Sequence, residues 1–256
     1  MSLIPNWNAI PGVQGYNVQD VSIDVFQGGR EKANWIPIPL TIDGTYSACA
    51  QNSPYTAMLM PGTLMGRDVK TRKYRNVIIG ATTALINASG SVTSFTTDAN
   101  TTTEIARLLG LAGGSSLALN LVGPPSANGS VAAVVNEPVV CTAAGGTTIT
   151  VTSVSLPTMI SGSLICPANS DGTASAVSAN LIATLLCDMH AISLGWPYPN
   201  ATTRVDANAA MLLAGGGGQL NGGNIWQFPS DTGLQQWIIN ALQSACPGTT
   251  FIQNWT

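Results

Sequence analysis

The chain is poor in charged side chains. Only 8% of its 256 residues are Asp, Glu, Lys or Arg, whereas an ordinary soluble protein has about 25%. A coiled coil and a solvated helical bundle are therefore excluded, because both need Glu and Lys on their outer faces. The formal net charge of −3 argues against a general polyanion-binding protein, so nucleic acid is not expected as a partner.

Reactive side chains are equally scarce. The chain has one histidine, His190, and five cysteines that form no Cys-x-x-Cys pair. Such dispersed cysteines argue against a disulfide framework and a zinc site, and they indicate reduced, buried thiols. His190 lies three residues after Cys187, but no nucleophile-turn or oxyanion motif accompanies the pair. We therefore expect no enzymatic activity, no cofactor and no bound metal.

Long apolar segments are missing as well. No run approaches the roughly 18 residues that are needed to span a bilayer. The first basic residue is Arg30, and Pro5 and Pro11 interrupt the start of the chain, so a signal peptide is not expected. These features predict a protein that makes no membrane contact and is assembled in a reducing compartment.

Residues that form strands and turns are abundant, including 27 glycines and 15 prolines. Residues 147–152 alternate like a half-exposed strand. Near the end of the chain, one apolar helical stripe is formed by Leu234, Trp237, Ile238, Ala241, Leu242 and Ala245. We predict a mainly β fold: a small β-barrel or sandwich domain with an inserted β-rich module, an extended N-terminal arm and a C-terminal amphipathic helix.

Changes in pattern divide the chain into four parts. We assign residues 1–53 to the arm, 54–86 plus 166–229 to the barrel domain, 87–165 to the inserted module with one short helix, and 230–256 to the C-terminal helix and tail. In the barrel domain we expect a type II turn at Pro61-Gly62 and a buried strand at 77–79. Residues 171–195 fit a helix or a strand, and the pattern leaves both open.

Each predicted helix carries its own start signal. In the inserted module, Thr101 and Glu104 have the spacing of a capping box, and the helix they open is expected to end near Gly110. At the C-terminal helix, Thr232 and Gln235 have the same spacing.

The N-terminal arm is interrupted by prolines. Pro37 and Pro39 each remove a ladder donor and favour an extended backbone, so this segment suits an edge strand or an arm on another surface. Trp7 and Trp35 need burial, either against their own domain or against a partner. The pattern leaves these two alternatives open.

The only concentration of charge is a basic stretch with one acidic residue, Asp68. It contains five of the nine basic residues: Arg67, Lys70, Arg72, Lys73 and Arg75. A docking patch for an acidic protein surface is the favoured interpretation. A nucleic-acid site and a simple solvated hairpin remain as alternatives, although Tyr74 is the only aromatic residue in the stretch.

Four segments, in the same order along the chain, resemble tailed-bacteriophage head proteins. The first and third resemble decoration (cement) proteins of the lambda type, and the second and fourth resemble an inserted domain and the C-terminal end of larger head proteins of this type. The four segments are Met60-Pro61-Gly62-Thr63-Leu64-Met65-Gly66-Arg67 with Lys73-Tyr74; residues 103–110 with 121–126; Asp171-Gly172-Thr173-Ala174 with residues 181–186 and Asp188; and residues 211–216 with 225–238. The first and third segments are similar to strands of the small decoration proteins. The arm and the 87–165 module have no counterpart there.

This resemblance implies a homotrimeric β-barrel on the outside of an icosahedral capsid, assembled in the host cytoplasm and bound to the major capsid protein. It thus implies a virion structural protein that stabilises the shell. The residues expected to contact the shell or a neighbouring subunit are Trp7, Trp35, Arg67, Lys70, Arg72, Lys73 and Arg75.

Three other functions stay open at the level of sequence. One is a different virion component, such as a tail, fibre or minor capsid protein, because its composition would be similar. Another is a module that binds glycans or a host surface through Trp196, Tyr198 and Trp226. An enzyme that uses His190 is the third.

Overall fold

The structure is a computed structural model. It describes residues 36–43, 58–59, 63–68, 71–87, 90–126, 134–168, 188–192, 196–197, 207–213, 218–221, 225, 228–245 and 249–252. Trp7, Trp35, Lys70 and the predicted turn at Pro61-Gly62 lie outside these residues, as do residues 1–34 of the predicted arm.

Most described elements are strands. In the first half of the chain these are β1 Ile36–Ile42, β2 Met58–Leu59, β3 Leu64–Arg67, β4 Tyr74–Asn76, β5 Gly80–Ala81, β6 Ser91–Thr96 and β7 Leu117–Gly123. The later strands are β8 Val135–Gly145, β9 Thr148–Ser155, β10 Leu164–Pro167, β11 Asp188–Ile192, β12 Trp196–Pro197, β13 Ala207–Leu213, β14 Gly218–Asn221 and β15 Thr249–Ile252. The described helices are α1 Ala99–Leu111 and α2 Thr232–Ala245.

Five strands close into a barrel in the order β1-β13-β11-β3-β4. Neighbouring strands in this barrel are antiparallel, except that β4 and β1 are parallel and pair only at Ile42 and Tyr74. The amide of Asp43 extends this closure by donating to the carbonyl of Tyr74 at 2.7 Å. Closure removes the free strand edges on which another chain could pair.

Strand β1 belongs to the segment that was assigned to the arm. It is extended, as its prolines predict, and it pairs with β13 from Ile36 opposite Leu213 to Ile42 opposite Ala207. Pro37 and Pro39 are two residues apart, so their nitrogens, which lack hydrogen, point to the same side of the strand. Because β1 pairs along its length with one neighbour, β13, the strand accommodates both prolines. This part of the segment therefore folds onto its own chain.

The second layer is a six-stranded antiparallel sheet in the order β5-β10-β7-β8-β9-β6. Its apolar face packs against α1, where Ile105, Leu108 and Leu109 share one core with Leu119 and Ile149. The sheet reaches beyond residues 87–165 at both ends, because β5 and β10 belong to it. The predicted buried segment 77–79 is buried but forms no strand; the ladder begins at Gly80.

Each helix is capped by a residue that precedes the predicted cap, by three residues in α1 and by one residue in α2. Asp98 caps α1, since its carboxylate accepts from the amides of Asn100 and Thr101. Asp231 caps α2 by accepting from the amide of Leu234 at 3.0 Å. Aspartate is the stronger cap because its carboxylate also interacts with the positive end of the helix dipole.

The C-terminal helix joins the two layers. Leu234, Ile238 and Leu242 pack in one core with Leu64 of the barrel strand β3 and Val122 of the sheet strand β7. The helical stripe read from the sequence is therefore the face that α2 buries. The predicted fold class, mainly β with a barrel and a C-terminal amphipathic helix, is confirmed.

Two of the five cysteines are described, Cys141 and Cys166; both are buried, and both are thiols outside any disulfide. Burial raises the pKa of the Cys141 thiol, so the thiol is held in its unreactive protonated form. Within the described ranges, no helix is both long and apolar enough to cross a membrane.

Glu137, near the start of β8 and opposite Leu121, provides a pH test of the packing. Burial raises the pKa of this carboxyl group above its ordinary value. The folded state therefore favours the protonated acid, and stability is lost as pH rises through the folded pKa. We expect Glu137→Gln to be more stable than the parent at pH 7 and equally stable near pH ~3, where both forms are neutral. Urea unfolding at the two pH values measures this; the same difference at both would contradict it.

Candidate functional site

The basic stretch forms the hairpin that joins β3 to β4. Gly66 lies opposite Arg75, and Arg67 lies opposite Tyr74 at the start of the turn. On its other side β3 pairs with β11, where Asp188 is in register with Arg67. The turn therefore projects from three adjacent strands of the barrel, and its base is held in the ladder.

Backbone hydrogen bonds fix the path of the turn. The amide of Asp68 donates to the carbonyl of Lys73 at 3.0 Å, and the amide of Arg72 donates to the carbonyl of Asp68 at 2.9 Å. The two ends of the turn are thus tied to each other within the chain itself.

The Asp68 carboxylate organises the interior of the turn. It is 0% exposed, and its Oδ1 accepts from the Thr71 amide at 2.7 Å and from the Thr71 hydroxyl at 3.1 Å. Its Oδ2 accepts from Nη2 of Arg75 in a buried ion pair. The Thr71 hydroxyl in turn accepts from the amide of Lys73 at 3.4 Å. One carboxylate therefore connects the turn, the following strand and a buried guanidinium.

Arg75 differs from the other predicted contact residues. Its side chain is buried, with the residue 4% exposed, and it is paired with Asp68. The guanidinium therefore stabilises the turn from beneath and is not part of the exposed surface. All three residues of β4 are buried, and the buried carboxylate of Asp68 pairs with this cation there.

We call three cations of this turn the basic loop, namely Arg67, Arg72 and Lys73. Arg67 and Arg72 are exposed, and Lys73 is half-buried. Nε of Arg67 donates to the carbonyl of Arg72 at 3.3 Å, which ties the stem of one guanidinium to the backbone of the next. Lys70 belongs to the same stretch in sequence but lies outside the described residues.

Arg72 has an unusual backbone conformation. Its φ of +57° lies in the left-handed region, and it is the one non-glycine residue with positive φ in the described part of the chain. For a side chain with a Cβ this conformation costs about 1 kcal/mol. Such outliers persist where surrounding contacts fix the backbone, and the two Asp68 bonds to Arg72 and Thr71 do so here.

The role of Asp68 was missed in the sequence, although a signal is present. An aspartate three residues before a threonine, at the end of a strand, is typical of a side-chain-stabilised turn. The partner of its second oxygen, Arg75, comes from the next strand and is evident only from the pairing of Gly66 with Arg75.

The remaining candidate residues lie on other strands or outside the described residues. Strand β12, which includes Trp196, pairs with β2, opposite Leu59, and Tyr198, Trp226 and Cys187 lie outside the described residues. His190 falls in β11 between Met189 and Ala191, where the register with β3 shifts. No three His, Cys, Asp or Glu side chains in the described ranges lie close enough together to hold a metal ion.

A groove runs along the edge strand β6. The groove has a volume of about 480 Å³ and is lined by residues 84–87 and 90–96, among which no side chain is charged. Leu85, 57% exposed, is the largest apolar group on its rim. The lining of this groove contains no charged side chain and no His or Cys that could activate its serine and threonine hydroxyls, so the basic loop is the stronger candidate site.

Comparison with known proteins gave no match: no protein-family model, curated protein or solved structure was found to be similar to this chain. The interpretation of the site therefore depends on its own geometry and on the resemblance described above.

Proposed function

We propose that this protein is a virion structural protein that binds the outside of an icosahedral phage-like capsid and stabilises it. One observation carries the proposal. Described parts of the segments that resemble decoration proteins lie in neighbouring strands of one barrel: Leu64–Arg67 is β3, Tyr74 begins β4, and Asp188 begins β11. The barrel therefore places β11 next to β3 although the two strands are distant in sequence.

The surface chemistry supports a role in assembly. The chain has few charges and one histidine, so most of its exposed surface can be buried in contacts without a large cost of desolvating ions. A stable contact between proteins buries about 1,600 Å² in total. On a closed shell, repeated contacts raise the effective concentration, and modest individual affinities are sufficient.

In this proposal the partner is the major capsid protein, and the decoration protein is a homotrimer. The basic loop contacts the shell or a neighbouring subunit, and complementary charge sets its register. Trp7 and Trp35 complete the contact as apolar anchors of the N-terminal arm; β1 itself is occupied in the barrel.

Addition of the purified full-length chain to undecorated capsids tests the proposal. We expect the protein to co-sediment with expanded shells up to a fixed stoichiometry and to raise the temperature at which the shells break open. The physical reason is that each bound copy adds contacts across subunit boundaries, which must be broken before the shell opens. Trp7→Ala is expected to weaken binding by about tenfold, as an anchoring tryptophan does.

Leu85→Ala is the matched control, because Leu85 is an exposed apolar side chain at the edge of the other sheet, outside the proposed contact. It should bind like the parent. Cryo-microscopy of the complexes then locates the protein: density at local three-fold positions fits decoration, whereas density at one vertex or on the tail fits another virion component. Absence of any binding to shells would refute the proposed function.

A further inference from the structure

The conformation of the basic loop is fixed by contacts within the chain, without any partner. Asp68 accepts three hydrogen bonds through its carboxylate, two from Thr71 and one from Arg75. The hydroxyl of Thr71 also accepts a hydrogen bond from the amide of Lys73, and Nε of Arg67 donates to the carbonyl of Arg72. The cations therefore stand on a backbone that is already ordered.

We propose that the basic loop is a preformed receptor for carboxylates, in which Asp68 and Thr71 hold Arg67, Arg72 and Lys73 in place to bind an acidic segment of a partner protein. That the partner is a capsid subunit rests on the proposed function. The chemistry of the loop does not, because it follows from the described contacts.

The internal ion pair withdraws the one acid of the stretch, together with one cation, from the exposed surface. Asp68 is the only acid in the stretch, and its carboxylate is fully buried against Arg75. These two charges offset each other inside the protein, and the exposed guanidinium groups of Arg67 and Arg72 are not the partners of Asp68 in that pair. Arginine suits such a surface because its planar guanidinium binds a carboxylate through two parallel hydrogen bonds.

Preorganisation accounts for the strained residue. Arg72 adopts a positive φ that glycine or asparagine adopts more readily. The cost of that conformation is met during folding, through the bonds of Asp68 and Thr71. Binding then loses less conformational entropy than it would with a flexible loop.

The details favour a protein carboxylate over nucleic acid. Binding of single strands uses aromatic platforms on which bases stack, but Tyr74, the one aromatic residue of the stretch, is 8% exposed and lies in β4. The net charge of −3 also repels a long polyanion beyond the loop itself. A short acidic segment reaches only the loop and avoids that repulsion.

The test uses the full chain and a fluorescent peptide of alternating Glu and Gly, with a Gln-Gly peptide as the uncharged control. Arg72→Asn removes a charge but suits the left-handed backbone, so the fold is retained; we expect about fivefold weaker binding, as for one good ion pair. Thr71→Val leaves every charge in place and removes only the hydroxyl of an exposed residue. We expect it to weaken binding by about threefold, because the loop must then be ordered on binding.

Arg107→Gln is the matched control, since it removes a cation from α1 on the other layer; its affinity should equal that of the parent. Equal affinity of Thr71→Val and the parent, with unchanged circular dichroism, would overturn the proposed preorganisation. A single-stranded oligonucleotide that binds while the Glu-Gly peptide does not would replace carboxylate by phosphate as the ligand. Peptide binding without shell binding would remove only the proposed function, and shell binding that is insensitive to Arg72→Asn would remove only this inference.

Discussion

Replacing Asp68 with alanine is expected to lower the free energy of unfolding by about 3–5 kcal/mol. The carboxylate is fully buried and paired with the buried guanidinium of Arg75. Without the acid, that buried guanidinium loses its ion-pair partner Asp68, and removing one partner of a buried pair is strongly destabilising. The turn also loses the two hydrogen bonds from Thr71. Urea unfolding, followed by far-ultraviolet circular dichroism, measures the change.

The ion pair of α1 provides a matched control. Glu104 and Arg107 are three residues apart with side chains 10% and 26% exposed, at 3.1 Å. Water can still solvate the partly exposed guanidinium when the acid is removed, so Glu104→Gln should cost less than Asp68→Ala. The double variant Asp68→Ala with Arg75→Leu should be more stable than Asp68→Ala alone, because it removes the buried guanidinium together with its Asp68 partner. A loss below 1 kcal/mol in Asp68→Ala would show that water reaches Arg75, and the buried pair would not organise the turn.

Elements defined by local periodicity were predictable from the sequence. The apolar stripe from Leu234 to Leu242 is the buried face of α2, and the alternation at 147–152 is strand β9, in which Ile149 and Val151 are buried. Both patterns arise from the period of a single element against a single core. No knowledge of distant parts of the chain was needed.

Elements defined by long-range pairing were not predictable in the same way. Closure of the barrel requires β1 to pair with β13 and β11 to pair with β3, and neither pairing has a local signal. The prolines of β1 indicated an extended edge without indicating its neighbour. The first residue of each helix was also hard to predict. Threonine and aspartate are both good N-caps, and the sequence alone does not show which of two nearby candidates caps the packed helix.

The same division applies to the candidate site. Its charge was evident in the sequence, since five of nine basic residues fall within a single stretch. Which of them face solvent was not, because alternation alone cannot show that Arg75 has a buried carboxylate to neutralise it. The internal pair changes the interpretation of the site: a patch of five equivalent cations becomes an ordered loop with a supporting ion pair beneath it.

Replacing Gly80 with alanine is expected to lower the free energy of unfolding by about 2–4 kcal/mol, through overpacking and loss of a helix cap. Gly80 lies in β5, where the ladder of the six-stranded sheet begins. A Cβ at this position would overlap the side chain of Thr101, which is 0% exposed. The Thr101 hydroxyl donates to Oδ2 of Asp98 at 2.5 Å, so displacing it also disturbs the residue that caps α1. Thermal and urea unfolding measure the loss.

Gly110→Ala is the matched control, because it makes the same chemical change where a Cβ meets nothing within 4 Å. In the last turn of α1 it should raise stability by up to about 1 kcal/mol, since alanine loses less backbone entropy in a helix. Opposite signs at the two positions would show that contact with Thr101 governs Gly80. Losses of similar size at both would contradict the close packing of α1 on β5, and with it the arrangement by which the sheet positions the helix.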